Sequence, residues 1–306
     1  NRGSPHTEFK IMKSPRRTQL PSARSLWRSL RSLTRASAIL LPGVLFCSQA
    51  AAQCQTAAEV AKVLVSGGAD FNLFGYSVAF SGNTMVVGAP YHEEAGQDNR
   101  GAVYVYTRAN PLANWILQQK ILADDGEAED KFGISVAIDG ETLVAGATEA
   151  DAAIGPDKGA AYVFARAGTT WSLQGRFEAT SDIQSRFGKS VAISGNLVAL
   201  TGVLDDAYFG IPSGAWFTYS RSGSTWTQLP NSGYANFYPH SEDDSTDIAV
   251  ANNRVFIGAK REAGSLPTFG RVKVFERVSG TWVNTQTLVS AVASTSQDSF
   301  GYAISA

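Results

Sequence analysis

From Gly75 onward, apolar and polar residues alternate in short runs that break at regular places. The first run reads Gly75-Tyr-Ser-Val-Ala-Phe80 and returns as Gly133-Ile-Ser-Val-Ala-Ile138 and Gly188-Lys-Ser-Val-Ala-Ile193. The second reads Thr84-Met-Val-Val-Gly-Ala-Pro90, then Thr142-Leu-Val-Ala-Gly-Ala-Thr148 and Arg254-Val-Phe-Ile-Gly-Ala-Lys260. The third is Gly101-Ala-Val-Tyr-Val-Tyr106, with Gly159-Ala-Ala-Tyr-Val-Phe164, Gly214-Ala-Trp-Phe-Thr-Tyr219 and Gly270-Arg-Val-Lys-Val-Phe275 behind it. A fourth run starts at each tryptophan, as in Trp171-Ser-Leu-Gln-Gly-Arg-Phe177. Two-residue alternation rich in β-branched and aromatic side chains predicts strands, and no stretch carries the 3.6-residue period of a long amphipathic helix. Ser81-Gly82-Asn83, Asp139-Gly140-Glu141, Ser194-Gly195-Asn196 and Asn252-Asn253 separate the first two runs. Gly and Asn there supply the positive φ of tight hairpin turns.

These four runs form one block of about 57 residues that recurs. Tryptophan falls at Trp115, Trp171, Trp226 and Trp282, at intervals of 56, 55 and 56. Phe-Gly falls at 74–75, 132–133, 187–188 and 300–301, so one degenerate copy lies near Asp244-Ser245. A fixed period of this length signals a repeat architecture. The reading is all-β: a β-propeller of four-stranded antiparallel blades. Its blocks run approximately 74–122, 132–177, 187–229, 244–288 and 300–306. Small residues in the first strand (Ser77, Ala79, Ser135, Ala137, Ser190, Ala192) suit an innermost position. The tryptophan strand is then outermost, its ring covering the seam between neighbours.

Charge is segregated along the chain. Residues 1–52 hold nine of the 26 Lys+Arg and one of the 27 Asp+Glu, which leaves residues 53–306 with a net of −9. An acidic body argues against nucleic acid as a partner, since that needs a basic footprint. Lys13 to Arg35 carries seven positive residues and no acid, an apolar run from Ala36 to Phe46 follows, and small residues end it. This is the layout of a secretory signal over 12–52, cut after Ala52, with 1–11 an upstream remnant and no membrane span in the mature chain. The expected location is exported: extracellular, cell-surface or periplasmic. The stretch is also Arg- and Ser-rich, so a mitochondrial-type presequence is the other reading. Cleavage leaves Cys54 alone, so the fold is expected to hold by packing rather than by an internal disulfide.

"Phe-Gly-x-Ser-Val-Ala", "Val-Gly-Ala-Pro" and "Gly-Ala-Val-Tyr-Val-Tyr", in register over about 60–306, resemble the FG-GAP repeat of integrin α-subunit propellers. They resemble still more closely the bacterial FG-GAP proteins, which share the tryptophan strand. The third copy departs with Leu200-Thr201-Gly202, and the fourth lacks Phe-Gly. Integrin-type repeats often place an Asp-rich calcium loop between the first two strands. Here only a two- or three-residue turn stands there, too short to wrap a cation that takes six to eight oxygens, so no calcium or other cofactor is expected at those turns. Propellers of this family usually have about seven blades, so four full blocks and part of a fifth suggest truncation, with residues 60–65 the closing strand of a last blade.

Two loop sets are expected on one face: those between the second and third strands, and those joining blades. They are acidic. Ala123-Asp-Asp-Gly-Glu-Ala-Glu-Asp-Lys131 contributes Asp124, Asp125, Glu127 and Asp130, and equivalent loops contribute Glu93, Glu94, Asp151, Asp205, Asp206, Asp243 and Asp244, with Tyr91 and Tyr208 among them. These are the candidate ligand-binding residues; the alternative is ordinary solvated loop charge. Arg108, Arg166, Arg221 and Arg277 recur between the third and fourth strands, either as an anionic docking ring or as a repeated structural contact to the next blade. No catalytic residues are assigned. His92 and His240 stand in no metal-ligand spacing, and no nucleophile elbow or phosphate loop is present. The expected function is an exported or cell-surface binding module for protein or polysaccharide, with adhesion implied by the integrin resemblance alone. The alternatives are a display domain of a larger secreted protein, or a carbohydrate-active enzyme working through loop carboxylates.

Overall fold

The computed structural model describes residues 63, 72–180, 184–204, 213–230, 246–259, 270–289 and 301–305. They form four antiparallel sheets in sequence order, each a propeller-type blade. The first holds β1 (Ser77–Ser81), β2 (Thr84–Ala89), β3 (Ala102–Thr107) and β4 (Ile116–Ile121). The second holds β5 (Ser135–Asp139), β6 (Thr142–Ala147), β7 (Ala160–Ala167) and β8 (Thr170–Glu178). The third adds a two-residue β9 (Gln184–Ser185), paired to β11, to β10 (Val191–Ser194), β11 (Leu197–Leu204), β12 (Ser213–Ser222) and β13 (Thr225–Gln228). The fourth holds β14 (Thr246–Ala251), β15 (Arg254–Ala259), β16 (Arg271–Val278) and β17 (Thr281–Val289). No helix is present among the described residues. Of the expected closing strand at 60–65, only Val63 lies within them.

The core consists of layers between blades. Val86, Val103 and Val105 of the first blade meet Ile138, Leu143, Tyr162 and Trp171 of the second. Val144, Val163 and Phe177 meet Leu200, Phe217 and Tyr219 of the third. Ala199 and Trp216 then meet Ile248, Ile257 and Trp282 of the fourth. The middle strands β2 and β6 are buried along their whole length, which is why their alternation gives way to continuous apolar runs. Each tryptophan of the last three blades closes a seam: the indole N–H of Trp171 donates to Gln118 Oε1 (3.0 Å), that of Trp226 to Gln174 Oε1 (2.8 Å), and that of Trp282 to Thr218 Oγ1 (3.0 Å).

The Phe-Gly pair clamps neighbouring blades. The Phe132 ring packs edge-on against Tyr162 (5.3 Å) in its own blade. Its backbone N–H donates to Arg100 O of the preceding blade at 3.1 Å. Gly133 N–H donates to Gly146 O (2.9 Å) in its own blade, while Gly133 O accepts the Ser77 hydroxyl (2.8 Å) of the preceding one. The set recurs as Phe187 N–H to Lys158 O (3.0 Å), Gly188 N–H to Thr201 O (2.9 Å) and Ser135 Oγ to Gly188 O (2.7 Å). At the third junction, where Phe-Gly is missing, the carboxylate of Asp247 accepts the Ser190 hydroxyl at 2.6 Å. Its other oxygen accepts the N–H of Ile304 at 2.8 Å.

The glycine that recurs in the second strand of three blocks makes this approach possible. A Cβ on Gly88 would lie 2.0 Å from Gly133 O, one on Gly146 1.9 Å from Gly188 O, and one on Gly258 2.1 Å from Gly301 O. Gly146→Ala is therefore expected to cost about 3 kcal/mol, because a backbone carbonyl, not a flexible side chain, must move. Gly82→Asn, at φ +58 with nothing within 4 Å, should change stability by less than about 0.5 kcal/mol. Denaturant unfolding of the two variants checks the contrast.

Candidate functional site

The loop between β2 and β3 folds on itself. Glu94 and Gln97 exchange backbone hydrogen bonds (3.4 and 3.0 Å) around Ala95 and Gly96, both at positive φ. Its far end zips to the loop that joins the first two blades: Glu129 N–H donates to Asp98 O (2.8 Å) and Lys131 N–H to Asn99 O (3.0 Å). Asn99 Nδ2 donates to both carboxylate oxygens of Glu129 (2.9 and 3.0 Å), and Arg100 Nη2 donates to Ala123 O (2.8 Å). The two loop sets expected on one face are thus joined in the described blades.

Several of the candidate acids are consumed inside this structure. Glu94 accepts from Lys120 Nζ (2.5 Å) and His92 Nε2 (2.9 Å), and these bonds, Lys120 first, hold its carboxyl below the usual range. His92 Nδ1 lies 3.2 Å from Asn72 Nδ2, so Nε2 carries the proton given to Glu94 when the ring is neutral. Asp125 pairs with Arg176 Nε at 3.0 Å. The same guanidinium donates to the Tyr162 hydroxyl (3.3 Å), to the Glu178 carboxylate and to the backbone carbonyl of Asp151. Burial pushes the Tyr162 hydroxyl well above its ordinary value. Asp151 Oδ1 accepts the N–H of Asp157 at 3.1 Å.

Asp130 is buried, with 5% of its surface exposed, and accepts the N–H of Glu127 at 2.8 Å. Burial raises its pKa to about 6, against the lowering effect of that hydrogen bond, and the nearby Asp151, Glu127 and Asp125 raise it further. What remains displayed is Glu93, Asp124 and Glu127, all exposed and with no side-chain partner, beside the half-buried Tyr91. Asp205, Asp206, Tyr208, Asp243 and Asp244 lie outside the described residues. Among the described residues no three His, Cys, Asp or Glu side chains stand together as a metal site, and no helix is long and apolar enough to cross a membrane, which does not bear on β-barrels.

Sequence reasoning missed Lys120 and Arg176, the cations that hold the acidic loops. A signal was present: both stand five residues after the strand tryptophan, Trp115 and Trp171. On the opposite face the recurring arginines make structural contacts. Arg166 forks onto Glu141 and reaches Thr84 Oγ1 (3.4 Å). Arg221 donates to Asn196 Oδ1 (3.0 Å) and Thr142 Oγ1 (2.9 Å). Arg108, Arg166 and Arg221 cover the rings of Trp115, Trp171 and Trp226 at 4.4, 5.4 and 5.1 Å. Their inter-blade partners Thr84 and Thr142 belong to the preceding blade rather than the next, because β7 and β12 each meet the blade before them across the seam.

The family model for the FG-GAP repeat matches residues 58–106 and 115–164. This is an FG-GAP repeat protein. No curated protein matches the sequence. Among solved structures, the repeats are similar to Saccharomyces cerevisiae Sqt1 at 9% identity and a TM-score of 0.41, covering 72% of this chain and 50% of that one. They are similar to a protein titled "Glycoside hydrolase" at 11% and 0.36, covering 74% and 77%. A Bombyx mori GH32 beta-fructofuranosidase in complex with sucrose stands at 9% and 0.36, covering 72% and 53%. The chain thus spans half the length of Sqt1, and at these scores the likenesses carry no argument about activity.

The FG-GAP loop face has a built-in pH dependence. A carboxyl whose folded pKa lies above its unfolded value binds more protons when folded, so its cost to stability is absent below about pH 4 and grows as pH rises through about 6. Asp130→Asn keeps an acceptor for Glu127 and should stabilise the protein at pH 8 by on the order of 1 kcal/mol. The gap between variant and parent should close by pH 4. Urea unfolding at both pH values measures it, and an equal gap at both would contradict the assignment.

Proposed function

We propose that this FG-GAP repeat protein is an exported binding module, at the cell surface, in the periplasm or outside the cell. It engages a protein or polysaccharide through the loop face of its first two blades. The supporting observation is the division of labour among the acids. Glu94, Asp125 and Asp130 brace the two zipped loops, while Glu93, Asp124 and Glu127 stand exposed with no internal partner beside Tyr91. A rigid platform that displays unspent charge loses little entropy on binding, and it favours a ligand with cationic groups by complementarity. Export rests on the basic, then apolar, then small-residue order of residues 12–52. Adhesion is the narrower form of the same reading and rests on the resemblance to integrin repeats.

The test is an array of glycans and extracellular proteins probed with the full chain and with a Glu93→Gln, Asp124→Asn, Glu127→Gln triple variant. The expected result is a ligand whose binding weakens with salt and falls at least about tenfold in the variant, the scale of one or more lost charged contacts. Ligands bound equally by both proteins would contradict the loop-face assignment, and no ligand at all would contradict the binding reading.

A further inference from the structure

The first two seams differ in how the edge of the outermost strand is closed. Between blades one and two, the side chain of Gln119 caps the backbone of Trp171. Its Nε2 donates to Trp171 O (3.0 Å) and its Oε1 accepts the Trp171 N–H (2.8 Å). One primary carboxamide satisfies both backbone groups of one residue because its N–H and C=O stand side by side. Those groups face away from β7: Trp171 pairs with Arg166, whose own N–H points the other way, to Glu141 O at 2.9 Å.

Trp226 offers the same pair without the cap. It pairs with Arg221, whose N–H points to Asn196 O at 2.9 Å, so the N–H and C=O of Trp226 face away from β12. Gly175 stands in the Gln119 place, since it pairs with Val163 as Gln119 pairs with Val105. The indole anchors are alike, Trp226 to Gln174 as Trp171 to Gln118. Among the described residues no other group bonds the Trp226 backbone N–H or C=O. A cleft of about 450 Å³ opens there, lined by Gln174, Arg176, Phe177, Tyr219, Trp226 and Gln228. A Cβ on Gly175 would lie 3.5 Å from the Trp226 ring and 3.8 Å from the Phe177 ring, so aromatic carbon walls the space a side chain has left.

We propose that this cleft docks a glutamine side chain of a partner protein, whose carboxamide caps Trp226 as Gln119 caps Trp171. Two demands select that occupant. It must donate and accept on one edge, toward the two backbone groups of a single residue. A carboxylate only accepts, an ammonium or guanidinium only donates, and a trans secondary amide holds its N–H and C=O on opposite edges. The occupant must also bring apolar atoms to the aromatic walls. Glutamine meets both demands, with a primary carboxamide on a stem of two methylenes. Main-chain pairing of a partner strand is the weaker fit, because β13 is only four residues long. The lining of this cleft includes none of Glu93, Asp124 and Glu127, so this proposal and the loop-face reading can fail separately.

The test titrates N-acetylglutamine methylamide, and its glutamate counterpart, into the isotope-labelled full chain. The backbone N–H resonances of Trp226 and Trp171 are followed by NMR. Both probes carry the same secondary amides, so only the side-chain group differs. The expected result is a saturable shift at Trp226 and none at Trp171, with binding of the glutamate probe at neutral pH weaker by about tenfold or more, the scale of one lost hydrogen bond. Gly175→Gln supplies the cap from within and should abolish the shift. Its Cβ makes only ordinary contacts, so the variant should melt no lower than the parent. Gln119→Gly uncaps Trp171 and should give that N–H a saturable shift of its own. The proposal is overturned by no shift at Trp226, by equal binding of the glutamate probe, or by a shift retained in folded Gly175→Gln. Should Gly175→Gln fail to fold, a silent Trp171 in Gln119→Gly overturns it instead.

Discussion

Everything in this fold depends on how closely two backbones approach where blades meet. The Gly133 carbonyl reaches the Cα of Gly88 and the hydroxyl of Ser77 at once, a distance that tolerates no side chain. Because that carbonyl would otherwise be a buried acceptor without a donor, the serine on the innermost strand is as necessary as the glycine. The phenylalanine beside it fixes the direction of approach, its ring in one blade and its backbone in the blade before. The repeat motif is thus the imprint of one junction, read twice: Phe-Gly from one side and Gly-Ala-Pro with its serine from the other.

That origin explains which parts of the sequence were legible. Strand runs, turns and the tryptophan seam follow from local alternation and from residues that touch at the repeat spacing. They were readable because the same physical demand recurs in each block. The degenerate junction was less so. Asp247 sits in the serine place of its block and supplies acceptors where the Phe-Gly carbonyl is missing, which nothing local in the chain announces.

The candidate site was legible as a face but not as an arrangement. Alternation and loop length placed the acids together, and their number hid the difference between Asp130, which is buried, and Asp124, which is not. Pairing is decided by contacts distant in sequence. Arg176 reaches Asp125 from a strand 51 residues on, and Lys120 reaches Glu94 from 26 residues on. The recurring arginines were readable as a pattern, and their direction became visible only once β7 was set against the blade before it.

The central claim is that the Phe-Gly junctions, not the individual sheets, hold the array together. Native-state hydrogen exchange at the N–H groups of Phe132 and Phe187 tests it most directly, since each donates across a junction to the preceding blade, at Arg100 O and Lys158 O. The account predicts protection as high as in the buried middle strands β2 and β6. Exchange of these amides on the timescale of the surface loops, with the middle strands still protected, would contradict it.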